Sequence, residues 1–283
     1  MSILEKKIGF MGAGNMGEAF IGALVRSELC DPARIYVSDV LKERLEFMQS
    51  TYGVLTVGEN FKLFSECEVV ILAVKPQQAE ALLSQIVRYP GYNVLERKLF
   101  VSIAAGLAIP KIEALLYAPL DENCRKKLPI IRVMPNTPAL VLAGMSGMSA
   151  NRNATPEDVD TTRIILGALG RVMEFKEEDM DAVTALSGSG PAYVFYFIES
   201  MLAGGLAIGL DPEAVATLTI QTFKGALKLL EERKESPEAL RLKVTSPGGT
   251  TEAALKVMGT AKVKQNIIAA IAAAARRSKE LSG

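Results

Sequence analysis

Residues 7–17 read KIGFMGAGNMG: a short apolar run passes directly into Gly12, Gly14 and Gly17, which form the pattern GxGxxG. In this pattern the first glycine permits a tight turn, the second lets the backbone approach a pyrophosphate, and the third lets helix and strand pack closely. The N–H groups of the following helix then hold the phosphates. The stretch therefore predicts a dinucleotide site at the first strand of a doubly wound α/β sheet. The alternative is a glycine-rich turn that binds nothing.

The remainder of the first half repeats this alternation of short β-branched runs and helical segments, which is typical of a parallel sheet covered by helices. Proline at position 76 suits the first turn of a helix. We expect strands over 7–11, 35–39, 69–74, 99–103, 130–134 and 172–175, and helices over 15–29, 41–51 and 76–87.

The second half carries long Ala- and Leu-rich segments that predict helices over 180–210, 211–233 and 261–281. Asp211 before Pro212, and Ser236 before Pro237, predict an N-cap followed by proline at the first helical position. Residues 267–275, IIAAIAAAA, contain no charge. Helices that are apolar nearly all round need burial on several sides, so we expect them to pack against a second copy of the chain. We place the domain boundary near residue 176, giving domains 1–176 and 177–283.

Composition excludes several classes of function. The chain has 283 residues, enough for two domains, and its 32 Lys and Arg balance its 32 Asp and Glu. The net charge is therefore zero and does not favour binding to nucleic acid or to an anionic membrane. The sequence contains no histidine, which rules out every mechanism that needs an imidazole.

The three cysteines, Cys30, Cys67 and Cys124, stand far apart, so we expect no metal site and read them as reduced, cytosolic residues. We also expect no signal peptide and no membrane span.

The residue that ends the second strand selects the dinucleotide, because an acid there bonds a ribose 2′-hydroxyl whereas a cation accommodates a 2′-phosphate. Asp39 stands 22 positions after the third glycine and slightly favours NAD(H). Ser38 could still bond a phosphate, and Lys42 and Arg44 are close enough to help. Asp39 has an alternative role as N-cap of the helix that starts near Leu41.

Open α/β sheets bind ligands at the carboxyl ends of their strands, so the residues after the later strands are candidate cofactor wall. Lys75 could reach a phosphate or ribose, or could be a solvated lysine before a helix. In the second half, residues 246–252, SPGGTTE, begin a helix whose N–H groups could hold a carboxylate. The alternative for this patch, and for SGSGPAY at 187–193, is an interhelical turn whose small residues allow close packing.

Six blocks in order, GFMGAGNMG, AVKP, SIAAG, RVMPNTP, LSGSGPAYVF and SPGGTT, closely resemble the pyrroline-5-carboxylate reductase family. The resemblance spans nearly the whole chain. It implies NAD(P)H-dependent reduction of 1-pyrroline-5-carboxylate to L-proline, the last step of proline biosynthesis. It also implies a Rossmann-type sheet followed by an all-α dimerisation domain, in a cytoplasmic homodimer that in many members assembles into decamers.

Carried over position by position, the resemblance assigns the diphosphate to 11–16, the adenosine side to Asn60, and the hydrogen bond to the ring nitrogen to Thr251 as catalytic residue. The chain departs from the family at 241–243, Arg-Leu-Lys, where members often read Lys-Asp-Asn or similar, so Lys243 is left out. With the residues reasoned above, the expected cofactor set is Met11, Gly12, Ala13, Gly14, Asn15, Met16, Gly17, Ser38, Asp39, Asn60, Ala73, Val74, Lys75, Pro76, Ile103, Ala104 and Ala105. The expected substrate set is Ser246, Gly248, Gly249, Thr250 and Thr251.

Two other functions fit parts of the pattern. A hydroxyacid dehydrogenase of similar build would use a helical lysine, for which Lys224 and Lys228 are candidates, although neither adjoins a glycine-rich anion turn. A non-catalytic module that senses NAD(P)H is the second alternative. It requires that the SPGGTT turn serves only to pack helices together and binds no substrate.

Overall fold

A computed structural model of the chain describes residues 4–282. The chain forms two compact units, described separately below: one comprises the described residues up to Ser189 together with those from Ala274 onward, and the other is Gly190–Ala273. The boundary expected at residue 176 falls inside the first unit, and as a division by role it stays a prediction.

The first unit is built on one eight-stranded sheet in the order β3-β2-β1-β4-β5-β6-β7-β8. Neighbouring strands are parallel except for β6 and β7. This arrangement confirms the predicted doubly wound α/β sheet. The strands are β1 (Ile8–Met11), β2 (Ile35–Ser38), β3 (Leu55–Thr56), β4 (Val69–Leu72), β5 (Leu99–Ser102), β6 (Ile130–Met134), β7 (Gly144–Ala150) and β8 (Gly170–Glu174).

Helices bury both faces of this sheet. Successive strand residues point to opposite faces, so Val69 and Ile71 of β4 join one apolar cluster while Val70 and Leu72 join the other. A continuous apolar strand is what such two-sided burial requires. The helices of this unit are α1 (Asn15–Arg26), α2 (Lys42–Tyr52), α3 (Asn60–Glu66), α4 (Pro76–Arg88), α5 (Ile109–Leu116), α6 (Glu122–Lys126), α7 (Pro156–Gly167) and α8 (Met180–Val183).

Strand β7 is absent from the sequence-based expectations. Its sequence, GMSGMSA, contains no β-branched residue and resembles a Gly- and Ser-rich loop. Close packing accounts for the glycines: a Cβ on Gly147 would lie 2.6 Å from Val183 Cγ1, and one on Gly144 would lie 2.9 Å from Ala139. Short β3 and helices α3, α5, α6 and α7 were likewise not predicted.

The segment expected as one helix over 180–210 is helical over 180–188 and 190–207 but is interrupted between them. Helix α8 passes into a π-helical turn, Thr184–Gly188, before α9 (Gly190–Ala207) begins. Ser189 N–H donates to Thr184 O, five residues back, at 2.9 Å. A Cβ on Gly188 would lie 2.3 Å from Met134 Cε. The small residues of SGSGP therefore let this segment pack against β6.

The second unit is entirely helical. It contains α9, α10 (Pro212–Arg233), α11 (Pro237–Lys243), α12 (Thr250–Thr260) and the start of α13 (Val263–Ser282), whose last residues belong to the first unit. The Asp211 carboxylate caps α10 and the Ser236 hydroxyl caps α11, which confirms both predicted N-caps.

Very little of this unit is buried within the chain itself. Between Gly190 and Ala273, Val215 and Thr219 are the residues classed as buried. Large apolar side chains such as Phe195 (64% exposed) and Tyr196 (68% exposed) lie on its surface. Within residues 4–282, no helix has both the length and the apolar character that a membrane crossing requires.

Candidate cofactor and substrate sites

Four strands of the first unit end level with one another. Met11 pairs with Ser38 of β2 and with Leu72 of β4, and Leu72 pairs with Ser102 of β5. The residues that follow these strands therefore emerge at one edge of the sheet, where the strand order reverses between β1 and β4. That is the edge at which doubly wound sheets bind ligands.

The glycine-rich loop at this edge has the geometry of a phosphate cradle. Gly12 has φ +108°, a conformation that favours glycine, and a Cβ there would lie 2.5 Å from Ala73 O. A Cβ on Gly17 would lie 2.5 Å from Gly12 O, whereas Gly14 faces open space. Helix α1 starts at Asn15, so its first N–H groups have no acceptor within the helix. The residues present thus fit a dinucleotide diphosphate.

Asp39 lies beside this loop and binds two backbone groups. Ala13 N–H donates to Asp39 Oδ2 at 2.7 Å, and Leu41 N–H donates to Oδ1 at 2.9 Å. The N-cap of α2 is Leu41 itself, so the alternative role of Asp39 as N-cap is wrong. Ser38 is only 3% exposed, and its hydroxyl donates to Asn60 Oδ1 at 2.7 Å.

The ends of β4 and β5 lie at the same edge of the sheet. Ala73 and Val74 are half-buried, Ile103 and Ala104 are buried, and Lys75 is the exposed residue that immediately precedes α4. A cavity of about 440 Å³ opens beside them. Its lining includes two of the predicted cofactor residues, Pro76 and Ala105, and also Gln77, Lys111, Arg277 and Ser278.

The predicted substrate residues form one turn at the start of α12, within the second unit. Gly249 is the N-cap of the helix, and Gly248 has φ +70°, so glycine suits this position. Gly249 N–H donates to Ser246 O at 3.0 Å, and Gly248 N–H donates to Glu252 Oε2 at 2.8 Å. The turn therefore already holds one carboxylate oxygen, that of Glu252, on the amide of Gly248.

Comparison with known proteins identifies the family. A relative from Synechocystis sp., named pyrroline-5-carboxylate reductase, is 39% identical over 278 residues and covers 97% of this chain and 98% of its own. One from Bacillus subtilis, named pyrroline-5-carboxylate reductase 2, is 36% identical and covers 98% of this chain and 95% of its own. The chain belongs to the pyrroline-5-carboxylate reductase family.

Solved structures agree with this membership. A pyrroline carboxylate reductase of Plasmodium falciparum with NADP bound superposes with a TM-score of 0.85 at 32% identity, covering 99% of both chains. One from Coxiella burnetii gives 0.84 at 35% identity, covering 99% of this chain and 100% of its own. The family model described as pyrroline-5-carboxylate reductase dimerisation matches residues 177–281, and one described as NADP oxidoreductase coenzyme F420-dependent matches 7–106.

Two of the blocks that carried the resemblance to the pyrroline-5-carboxylate reductase family meet each other in the first unit. Asn136 of RVMPNTP donates from Nδ2 to Ser187 O of LSGSGPAYVF at 3.3 Å, and its Oδ1 accepts Met145 N–H at 2.9 Å. These polar contacts fasten the π-helical turn to the end of β6.

A buried ionic cluster was not expected from the sequence. Arg132, 3% exposed on β6, donates to Glu177 Oε1 at 2.8 Å and lies 3.7 Å from Asp181 Oδ1. Asp181 Oδ1 also accepts the hydroxyls of Ser278 (2.7 Å) and Ser282 (3.1 Å), which anchors the end of α13. A lone arginine in an apolar strand and a run of acids at 177–179 were the only signals, and their pairing depends on the fold.

Proposed function

We propose that this protein reduces 1-pyrroline-5-carboxylate to L-proline with NAD(P)H, the last step of proline biosynthesis. The observation that carries the proposal is full-length membership of the pyrroline-5-carboxylate reductase family together with a glycine cradle at the switch point of the sheet. The loop residues at 11–17 would hold the diphosphate, Asn60 the adenosine side, and the ends of β4 and β5 the rest of the cofactor. Bound NAD(P)H supplies the hydride.

The substrate residues act by positioning. Thr251 would accept or donate a hydrogen bond at the ring nitrogen, while first-turn N–H groups of α12 hold the carboxylate. Because Glu252 already accepts the N–H of Gly248, use of that amide by the substrate requires the Glu252 side chain to turn away. Correct placement of the imine carbon for hydride attack supplies most of the rate enhancement in this proposal.

In this proposal the proton on the substrate nitrogen is not supplied by a histidine. The chain has no histidine, so the substrate binds already protonated at nitrogen or takes its proton from water. A protonated C=N is the better hydride acceptor, and a threonine hydroxyl can orient it without itself changing charge.

The wider biology forms part of the same proposal. The dimerisation match and the exposed apolar helices support a homodimer, which can assemble further into a decamer. Three free, buried cysteines suit a reducing cytoplasm. We divide the roles at residue 176, with cofactor binding before it and dimerisation and substrate binding after it.

The test follows loss of NADH and NADPH absorbance, in parallel, with 1-pyrroline-5-carboxylate as substrate and with a 3-hydroxy acid plus NAD⁺ as the competing reaction. Consumption with the imine supports the reductase. Turnover of the hydroxy acid alone would support the dehydrogenase alternative. The candidates for its catalytic lysine are then Lys224 and Lys228, both exposed on α10. Cofactor binding without either reaction would support the sensor alternative.

A further inference from the structure

Two side chains bind the backbone of Ala13 in the glycine-rich loop. Asp39 accepts the Ala13 N–H, and Arg44 of α2 donates from Nε to Ala13 O at 2.8 Å. Arg44 Nη2 donates to Glu18 Oε2 of α1 at 2.5 Å. Tyr52 donates its hydroxyl to the other Glu18 oxygen at 3.2 Å. Arg44 is thus paired with an acid and a carbonyl at the position where the adenosine ribose of a dinucleotide would sit.

A 2′-phosphate at this position would need cationic or hydroxyl partners. The buried Ser38 hydroxyl is bound to Asn60, and the Arg44 guanidinium lies between Glu18 and the Phe47 ring, 4.9 Å from the ring centroid. A phosphate dianion would also approach the carboxylates of Asp39 and Glu18. Like charges at such short range repel, so both acids oppose the phosphate, whereas neither opposes a ribose hydroxyl.

We propose that this protein uses NADH in preference to NADPH, and that Glu18 is a specificity-determining residue alongside Asp39 because it binds the Arg44 guanidinium, which a 2′-phosphate could otherwise bind. The inference rests on the proposed function for the identity of the site, and it names which dinucleotide that site takes. Asp39 favours NADH by bonding the ribose 2′-hydroxyl. Glu18 disfavours NADPH by keeping Arg44 in an ion pair, so that Arg44 does not bind the 2′-phosphate.

Direct binding tests the inference without turnover. NADH and NADPH are titrated into the full-length protein by calorimetry, with no imine present, for wild type, Glu18→Gln, Asp39→Ser and the double variant. We expect tighter NADH binding by wild type. Glu18→Gln should tighten NADPH binding about tenfold, the scale of a recovered charge-assisted hydrogen bond, and should leave NADH nearly unchanged. The double variant should prefer NADPH.

Two further variants isolate the role of Glu18. Glu43→Gln removes an exposed acid from the first turn of α2 without releasing Arg44, and it should leave both affinities unchanged. In an Arg44→Met background the effect of Glu18→Gln on NADPH should be much smaller, because the cation it releases is gone and only the relief of charge repulsion remains. Equal effects of Glu18→Gln and Glu43→Gln, or wild-type binding of NADPH as tight as NADH, would overturn the proposal.

The outcome separates this inference from the proposed function. Imine reduction with NADPH preferred refutes the inference and leaves the reductase standing. Tight, NADH-selective binding without imine reduction does the reverse.

Discussion

Thr251 is the residue of the substrate turn whose side chain the proposed reaction uses. Replacement by alanine should lower kcat/KM for the imine about tenfold, the scale of one lost hydrogen bond of roughly 1.5 kcal/mol. Thr251→Ser keeps the hydroxyl and should recover most of the activity. Steady-state kinetics decide the matter, and an unchanged value for Thr251→Ala removes this hydroxyl from the mechanism.

Lys98 carries a buried charge that forms no ion pair with a carboxylate within the described residues 4–282. Its ammonium donates to the carbonyl of Cys67 and, at 3.5 Å, to that of Ser65, and it lies 5.2 Å from the centre of the Phe64 ring. Burial lowers the pKa of Lys98 from 10.5 to about 8, against the smaller opposing effects of Cys67, Glu68 and Glu96. The charged form is therefore less favourable in the folded protein than in the unfolded chain.

This shift makes stability depend on pH in a known direction. Below about pH 8 Lys98 is protonated in both states, and between 8 and 10.5 the unfolded chain binds more protons, so the unfolding free energy rises with pH. The thiols of Cys30 and Cys67, whose pKa burial raises to about 11 and about 12, act in the opposite direction above pH 9. The comparison must therefore be made against a variant.

From pH 8 to 9, wild type should gain about 1 kcal/mol of unfolding free energy relative to Lys98→Met. Urea titrations at the two pH values measure the gain. Lys62→Met, which removes an exposed lysine of α3, should run parallel to wild type. Parallel curves for Lys98→Met would show that Lys98 does not titrate in this range.

At the scale of elements, the Arg132 cluster fastens β6, α5, α8 and the end of α13 together. Glu177 accepts both Arg132 and the N–H of Ile109. Glu177→Gln should destabilise the fold by about 3 kcal/mol, because it leaves the buried Arg132 guanidinium with only the more distant Asp181 as a charge partner. Its neighbour Glu178 is exposed, and among residues 4–282 it pairs only with Lys176, at 3.6 Å, so Glu178→Gln should cost no more than about 0.5 kcal/mol. Equal losses in urea unfolding would contradict this account.

The sequence predicts those helices and strands whose local pattern of apolar residues matches the way their faces are buried in the fold. The run 69–72 is apolar throughout and 99–102 is apolar except for Ser102, because both faces are buried, and the strands were expected there with ends shifted by no more than two residues. Strand β7 lacks that pattern. Its glycines leave room for Val183 and Ala139, which are distant in sequence. The helix expected over 180–210 is interrupted by a π-helical turn, where Gly188 lies against Met134, a residue distant in sequence.

The candidate site divides in the same way. The glycine loop and the turn at 246–251 are contiguous motifs, so each can be predicted from a single stretch of sequence. The pairings of Glu18 with Arg44 and of Arg132 with Glu177 span 26 and 45 positions, and no local spacing encodes them. Only the packed helices and strands bring those charges together.

At the scale of the whole molecule, the exposed apolar surface of the second unit predicts association. Tyr196→Glu on α9 should weaken self-association by at least about a hundredfold, the effect of losing a central aromatic contact. Leu95→Glu, at a 72%-exposed leucine of the first unit, should leave it unchanged. Sedimentation equilibrium reports the mass, and wild-type thermal unfolding should shift upward with protein concentration. A wild-type monomer at all concentrations would refute the dimer.

The return of α13 to the first unit also has a consequence for biosynthesis. Ser278 and Leu281, which line one side of the cavity, are translated only after the whole of Gly190–Ala273 has been made, as is Ser282, which with Ser278 bonds Asp181. A nascent chain can form the parallel sheet early, as domains do during synthesis, but it cannot complete that wall. A ribosome that stalls within the helical segment therefore leaves a product with its sheet in place and its cavity open on one side.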